Sequence, residues 1–418
     1  MLLGCLSSLN NHTARDRITQ VSMRHKDSFE WLYDSKAVPF CTWLANSAYN
    51  QPIFWVTGKP GSGKSTLMRF AMQDPRTRTY LKKNQNDNNS WHFIGFFFHE
   101  RGSVIQKSIK GMLKELLFQV LNQFPHLFEI VESHYERLVT EQRKNLPDWD
   151  ERTLKICLYD VLNRDKHISN SLSVKICFFI DALDEHIGDN NQLLSIIEVL
   201  ARLSQQNSSG VTNKIRFKIC LASRPWTVFM ERFAALPQFA IHKHTSVDIV
   251  NYANEKLNQA LQSRTNGVQS NLQMWKSLVD SITDKALGVF IWVRIVVDEV
   301  CKGIRDGTAY FLLKELVLSM PAELKDLYAH TLQRVDPQHV FEAHTMLQIA
   351  LCALSPLPLS IFWDCTMATL YEETAKTENL TDPLSWLASR SGGLLEAIQQ
   401  SSPPPDRHHL PPVGPREI

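Results

Sequence analysis

The stretch Phe54-Trp55-Val56-Thr57-Gly58-Lys59-Pro60-Gly61-Ser62-Gly63-Lys64-Ser65-Thr66 decides the fold. An apolar, β-prone run enters it and a helical pattern from Ser65 leaves it, which is the strand-loop-helix context that a phosphate-binding loop requires. Gly58, Gly61 and Gly63 let the backbone turn so that successive N–H groups converge on the β- and γ-phosphates, and the N-terminus of the next helix adds positive potential. Lys64 supplies the counter-charge, and the Ser65 hydroxyl is placed to ligate Mg²⁺. The candidate nucleotide-binding residues are therefore Gly58, Lys59, Pro60, Gly61, Ser62, Gly63, Lys64, Ser65 and Thr66. The expected ligand is ATP or GTP with Mg; no N-K-x-D guanine signature is present, and the loop itself leaves both bases open.

Downstream, Ile176-Cys177-Phe178-Phe179-Ile180-Asp181-Ala182-Leu183-Asp184-Glu185 places a carboxylate at the end of an apolar run. In an open parallel sheet that position is the C-terminal tip of a buried strand, where ligands bind. Asp181 is expected to hold Mg²⁺ opposite Ser65, so these two are the candidate metal ligands. Asp184 and Glu185 follow on the loop as candidates to orient or deprotonate the attacking water, Glu185 being favoured; a solvated loop or a helix N-cap is the plainer reading of each. A third run, Lys218-Ile219-Cys220-Leu221-Ala222-Ser223-Arg224-Pro225-Trp226, again ends in polar residues. Arg224 is the candidate γ-phosphate sensor, against the reading of a surface arginine after a strand.

Composition sets the class. Of 418 residues 44% are hydrophobic and 21% charged, with 45 Lys+Arg against 43 Asp+Glu, which describes a globular chain of two or three units without a charge bias towards nucleic acid. Eight cysteines are widely spaced without a C-x-x-C pair, so neither zinc nor a disulfide scaffold is suggested; Cys157, Cys177, Cys220 and Cys352 lie in apolar runs and read as small buried hydrophobes. Met1 to Leu6 is too short and lacks the basic residues of a signal peptide, and no clean membrane span follows, so a cytoplasmic location is expected.

Along the chain, residues 1–50 read as a helical lead-in, with an apolar stripe from Phe29 to Leu44 and Asp27 as its N-cap. From 51 to 245, strands near Ile53–Val56, Ile94–Phe98, Ile176–Ile180, Phe217–Ala222 and Phe239–His242 alternate with helical segments. This predicts an α/β fold with a parallel sheet covered by helices on both faces. Polar stretches at Lys82–Ser90 and Gln205–Lys214 read as loops. Thr245-Ser246-Val247-Asp248 reads as a capping box opening a helix, after which the chain is mostly helical to about 400. The Pro-rich tail 401–418 reads as disordered.

The loop Gly58–Thr66, the block Phe178–Glu185 and the run Ser223–Trp226 together resemble the NACHT nucleotide-binding domain of fungal NOD-like receptors, a family of the STAND class of P-loop NTPases. Ala182 carries much of the likeness, as a tiny residue after the metal Asp with acidic residues two and three places on. Ser28–Tyr33, Gly288–Val293 and Leu324–Tyr328 agree with it, and the resemblance spans roughly residues 25 to 395. It implies a P-loop core at 51–245, a helical bundle at 246–319 and a winged-helix-like module at 320–400 that clamp the nucleotide. It also implies a signalling switch that self-associates on activation, with Gly288-Val289-Phe290 near the base and a histidine, among His330, His339 and His344, near the β-phosphate. The family's effector and sensor-repeat segments are not visible, which suggests a fragment, a truncated gene model, or a minimal switch working with effector or sensor proteins in trans. Two other classes stay open: a non-hydrolysing nucleotide-binding scaffold, and a P-loop metabolic or nucleic-acid enzyme. Slow turnover, no turnover and fast substrate-stimulated turnover would tell switch, scaffold and enzyme apart.

Overall fold

The structure, a computed structural model, describes residues 1–46, 51–83, 90–163, 174–206, 215–263, 272–333, 335–354, 356–371, 383–391, 394–397 and 412–415. Most of the two loops expected at Lys82–Ser90 and Gln205–Lys214, and most of the Pro-rich tail, lie outside these residues. The chain divides into two compact units, Met1–Lys59 with Gly63–His244, and Pro60–Ser62 with Thr245–Ile418.

In the first unit the elements run α1 (Leu2–Leu9), α2 (His12–Gln20), α3 (Phe40–Ala45), β1 (Ile53–Thr57), α4 (Lys64–Gln73), α5 (Pro75–Lys82), β2 (Trp91–Phe97), α6 (Ile109–Gln123), α7 (Phe128–Gln142), α8 (Glu151–Leu162), β3 (Lys175–Asp181), α9 (Asn190–Gln206), β4 (Arg216–Ser223), α10 (Thr227–Phe233) and β5 (Gln238–Ala240). The five strands form one sheet in the order β2-β3-β4-β1-β5, every pair parallel. Alternation along each strand explains why the strands read as unbroken apolar runs. Trp55, Phe96, Phe178 and Leu221 face a core shared with α6, α8 and α9. Their neighbours Phe54, Phe97, Phe179 and Cys220 face a second core shared with α3, α4 and α5. With both faces covered, a polar residue within a strand has no route to water.

Lys218, in the N-terminal half of β4, shows what such a residue then needs. Its side chain is buried, and its ammonium donates to the carbonyls of Trp43, of Leu44 at 3.1 Å and of Asn46 at 3.0 Å. Those carbonyls are at the C-terminal end of α3, where backbone acceptors have no intrahelical donor. Three donors meet three acceptors. The Trp43 ring lies 5.0 Å from the ammonium and completes its cover.

The lead-in is not one amphipathic helix. Asp27 takes a left-handed conformation (φ 59°), Glu30–Tyr33 is a 3₁₀ turn whose N-cap position is Phe29, and only α3 is α-helical within the expected stripe. The apolar residues there pack as an aromatic cluster on β1 and β5 instead, with Phe40 and Phe54 rings 5.2 Å apart and Trp31 and Phe239 rings 5.5 Å apart. Burial of aromatics outweighs helical propensity over so short a segment.

The second unit carries α11 (Ser246–Gln262), α12 (Leu272–Ala286), α13 (Phe290–Asp306), α14 (Tyr310–Ser319), α15 (Leu324–Gln333), α16 (Val340–Cys352), β6 (Leu357–Pro358), α17 (Leu359–Tyr371), α18 (Pro383–Arg390), β7 (Leu395–Ala397) and β8 (Pro412–Pro415). Its main core centres on α13, where Trp292 is fully buried and its indole N–H donates to the Pro321 carbonyl at 2.6 Å. Helix α11 starts where expected, but Thr245 does not cap it: its hydroxyl donates to the Gly288 carbonyl at 3.2 Å. The Pro-rich tail is also not wholly without structure. Pro412–Pro415 pairs antiparallel with both β6 and β7, the prolines standing at the strand's two ends, where a missing N–H is most easily tolerated. Cys157, Cys177 and Cys220 are buried, whereas Cys352, at the end of α16, is exposed.

Candidate functional site

The loops that follow β1, β3 and β4 emerge at one edge of the sheet, because β4 lies between the other two strands and all run the same way. Thr57, the last residue of β1, stands in register with Ser223, the last of β4. Phe97 at the end of β2 is in register with Asp181 at the end of β3. The three motifs, far apart in sequence, thus converge at the carboxyl ends of the strands.

After β1 the chain turns through Gly61 (φ 68°) and Gly63 (φ 91°) into α4, which starts at Lys64. A side chain at Gly63 would be strained by that φ and would meet the Phe29 ring at 3.4 Å. The Lys64 ammonium folds back over the loop and donates to the carbonyls of Gly58 at 3.0 Å and Lys59 at 3.1 Å. Burial lowers its pKa, opposed by the negative charges of Asp184 and Asp181. A lysine held by loop carbonyls and facing carboxylates is poised to exchange those acceptors for phosphate oxygens.

Asp181 closes β3 with only 1% of its surface exposed, and neither carboxylate oxygen accepts a well-formed hydrogen bond from the protein. Burial lifts its pKa to about 7, and the nearby Ser65 hydroxyl and the Lys64 charge offset that only in part. Two unpartnered oxygens in a buried site are a costly arrangement unless something else ligates them. The Thr57 hydroxyl, also buried, is likewise without a partner. This donor set of hard oxygens beside a phosphate loop suits a divalent cation of the Mg²⁺ type, with Ser65 and Asp181 as the residues that would hold it.

Ala182 explains the tiny residue after Asp181. It adopts a left-handed conformation (φ 57°, ψ 48°) and starts the 3₁₀ turn Leu183–Glu185 that carries the next two acids. Bulkier side chains are penalised there, and a β-branched one most of all. The turn sends the two carboxylates to different partners. Asp184, buried, accepts the Arg224 backbone N–H at 2.8 Å and pairs with the Arg224 guanidinium at 2.9 Å. Two of the three candidate catalytic residues are therefore joined to each other. Glu185 stays apart from that pair, accepting the Glu100 backbone N–H at 3.1 Å, and burial raises its pKa against the opposing charge of Arg17.

Sequence reasoning missed the bearing of Arg17, whose positive charge favours the ionised forms of two of the site's carboxylates. Arg17 lies on α2, within the stretch read as a lead-in. No local motif marks it, because its position depends on how α2 packs. Of the three histidines considered for a phosphate contact, His339 stands 3.6 Å from Glu342 within the second unit, and the His330 Nδ1 is buried without a partner.

A glycine-rich loop and a strand-end carboxylate on a parallel five-stranded sheet covered by helices define an α/β P-loop NTPase fold. Residues 27–224 match the family described as Nephrocystin 3, N-terminal. The chain is also 24% identical over 372 residues to the Vegetative incompatibility protein HET-E-1 of Podospora anserina, an alignment covering 86% of this chain and 24% of that protein. Both matches agree with the resemblance to the fungal NACHT-type NTPases that the loop Gly58–Thr66 and the block Phe178–Glu185 carry. It spans about a quarter of the length of the curated relative. Among solved structures, that of the Aeropyrum pernix ORC2 protein (ADPNP-ADP complexes) aligns over 91% of both chains with 13% identity and a TM-score of 0.40, a likeness too loose to add to the fold argument. Among the described residues no helix is long and apolar enough to cross a membrane.

Proposed function

We propose that this chain is a nucleotide-dependent signalling switch of the cytoplasm that binds ATP or GTP together with Mg²⁺ and hydrolyses it slowly. The observation that carries this reading is the pair of unpartnered, buried Asp181 oxygens beside Lys64 and Ser65. The backbone N–H groups of the loop, those of Gly61 to Thr66 above all since Pro60 has none, bind the β- and γ-phosphates, and Lys64 gives up its loop carbonyls for them. Ser65 and Asp181 would hold Mg²⁺, which would supply positive charge to the bound phosphates. Glu185, free of an ion pair with Arg224, orients and deprotonates the attacking water. Asp184 acts as a positioning residue, holding the Arg224 turn so that the guanidinium senses the γ-phosphate.

Slow turnover fits a switch, whose output is the state it occupies, and no acceptor-binding motif argues for a metabolic enzyme. By extension from the relative's name, the signal belongs to fungal incompatibility or innate recognition, with self-association on activation and effector or sensor proteins as partners.

The test is to denature the purified protein and identify any released nucleotide by chromatography, then to titrate the Lys64→Ala variant by calorimetry. Recovery of adenine or guanine nucleotide from the wild type and none from Lys64→Ala is expected. Unchanged affinity in that variant would overturn the assignment.

A further inference from the structure

The second unit holds a hollow of ligand size that the nucleotide chemistry does not use. It is a groove of about 430 Å³ between α11 and α13, within the range of about 300 to 1,000 Å³ that small-molecule sites occupy. One side of each helix is committed to the core beneath it: Ile249, Ala253 and Leu257 on α11, and Val293, Val297 and Val300 on α13, are buried together. The stripe beside that side faces the groove. It consists of Lys256, Ala260 and Ser263 on α11, and of Arg294, Asp298, Cys301 and Arg305 on α13, at the spacings of three and four that keep residues on one face of a helix.

The groove is hollow because the residues at its floor are small. Ala260 and Cys301 are buried there, and the Cys301 thiol donates to the Lys256 carbonyl at 3.6 Å, which ties the two helices together directly. The Ser263 hydroxyl turns back to the Ala260 carbonyl at 2.8 Å and leaves the end of the groove open. Walls fixed by a packed core do not have to be ordered when a ligand enters.

The charge around this hollow is one-sided. Three cationic residues, Lys256, Arg294 and Arg305, stand against one carboxylate, Asp298. The chain as a whole is balanced, with 45 Lys+Arg against 43 Asp+Glu, so the excess belongs to the groove. Arg294 and Arg305 begin about 16 Å apart along α13, with Asp298 between them. A guanidinium fork takes two phosphate oxygens at once, and an ammonium adds a point charge. A carboxylate repels phosphate and accepts from a hydroxyl, and the amide of Gln259, also in the wall, can do either. The occupant that suits this row is anionic at its ends and carries hydroxyls between them.

We propose that the groove between α11 and α13 binds a small phosphorylated polyol of the sugar bisphosphate type, with its phosphates at Arg294 and Arg305, Lys256 beside them and a hydroxyl on Asp298. Such a ligand touches both helices and stabilises the folded second unit by mass action. All of these residues lie outside the phosphate loop, and binding here needs no nucleotide.

The test is calorimetry and thermal melting of the full chain with fructose bisphosphate, fructose monophosphate and inorganic phosphate. Mg-ADP and Mg-GDP are present throughout to keep the probes off the phosphate loop. Fructose bisphosphate should bind once per chain, raise the melting temperature, and bind about 10-fold or more tightly than the other two. Arg294→Gln and Arg305→Gln should each weaken it by about 10-fold or more. Ser263→Leu, which fills the groove without removing a charge, should weaken it as well, whereas Lys302→Gln, on α13 but outside the groove, should leave it unchanged. A wild type that binds none of the three probes overturns the site. Equal affinity for bisphosphate and inorganic phosphate, or equal losses in Lys302→Gln and Arg305→Gln, overturns it too, by leaving only the attraction of anions to surface charge. If Arg294→Gln fails to fold, the exposed positions Arg305 and Ser263 decide, since full affinity in both of their variants overturns the site.

Discussion

The two ends of the five-stranded sheet treat a buried charge in opposite ways. Towards the N-terminal end of β4, Lys218 has a carbonyl for each of its three N–H groups and an aromatic ring beside it. At the C-terminal tip of β3, two strands' width from β1, Asp181 has no well-formed hydrogen bond from the protein, only the nearby Ser65 hydroxyl. Both residues are almost wholly excluded from water. A protein that satisfies one buried ion so completely, in the same sheet, has the means to satisfy another. The difference teaches that an unsatisfied group at a strand's carboxyl end is kept for a ligand, whereas a satisfied one belongs to the architecture.

The comparison breaks most visibly at Lys218. Lys218→Met removes the donors and leaves three buried carbonyls at the end of α3, so a loss of about 3 kcal/mol of folding stability is expected, with nucleotide affinity intact. Urea denaturation reads the first and calorimetry the second; a stable variant with impaired binding would invert the assignment. Asp181→Asn should do the reverse. Affinity for Mg-triphosphate should fall by about 30-fold, roughly 2 kcal/mol, while the ligand-free protein melts no lower than the wild type, since an unpaired buried charge has been removed. A melting temperature well below that of the wild type would show that the carboxylate is structural after all.

Two further effects sharpen the contrast. Asp184→Asn weakens the pairing with Arg224 but keeps its shape, and a stability loss of about 1.5 kcal/mol is expected. Hydrolysis in this variant should exceed that in Glu185→Gln, which loses the base while keeping nucleotide affinity; single-turnover assays with both variants check the order. Glu115 is an intermediate case. One of its oxygens accepts from Gln119 and faces Arg15, the other has no partner, and burial lifts the carboxyl to about 7 from an ordinary 4.5. Between those values the folded chain holds a proton that the unfolded chain has released. Its contribution is therefore full below about pH 4.5 and is lost as pH rises through about 7. Relative to Glu115→Gln, the wild type should lose about 3 kcal/mol across that window. Parallel stability curves for the two would place Glu115 with the satisfied ions.

Much of the site was legible because phosphate chemistry constrains neighbours in sequence. Gly58 to Thr66 must be a loop running into a helix, and an apolar run ending in Asp must be a strand tip, so the sheet, its helical cover and the placement of Lys64, Ser65 and Asp181 at one edge followed from local pattern. The rest depended on contacts between residues far apart in the chain. The pairing of Asp184 with Arg224 separates two acids that look equivalent in sequence. Arg17 sits in a helix whose own pattern marks only a lead-in, and that helix is held in place by Gln106 and Arg69, which bond the carbonyls of Thr13 and of Thr19. The aromatic cluster from Phe29 to Phe40 misled for a related reason: its spacing suits a helix, but its rings are used against β1 and β5. Pro412 and Pro415 read as breakers because composition does not reveal that each stands at a strand's end.

The order of strands in the sheet has a kinetic consequence. Strand β1 is bonded to β4 on one side and β5 on the other, both made from residues 216–240. A ribosome that has delivered the phosphate loop must therefore translate well over a hundred further residues before β1 has a neighbour. Until then Phe54, Trp55 and Val56, each wholly buried in the finished fold, are exposed in a segment of high β-propensity without a charge, a combination prone to association. Nascent chains arrested before Arg216 should engage chaperones through this segment and release them once Ala240 has emerged. The strand that defines the nucleotide site thus waits longest for its partners.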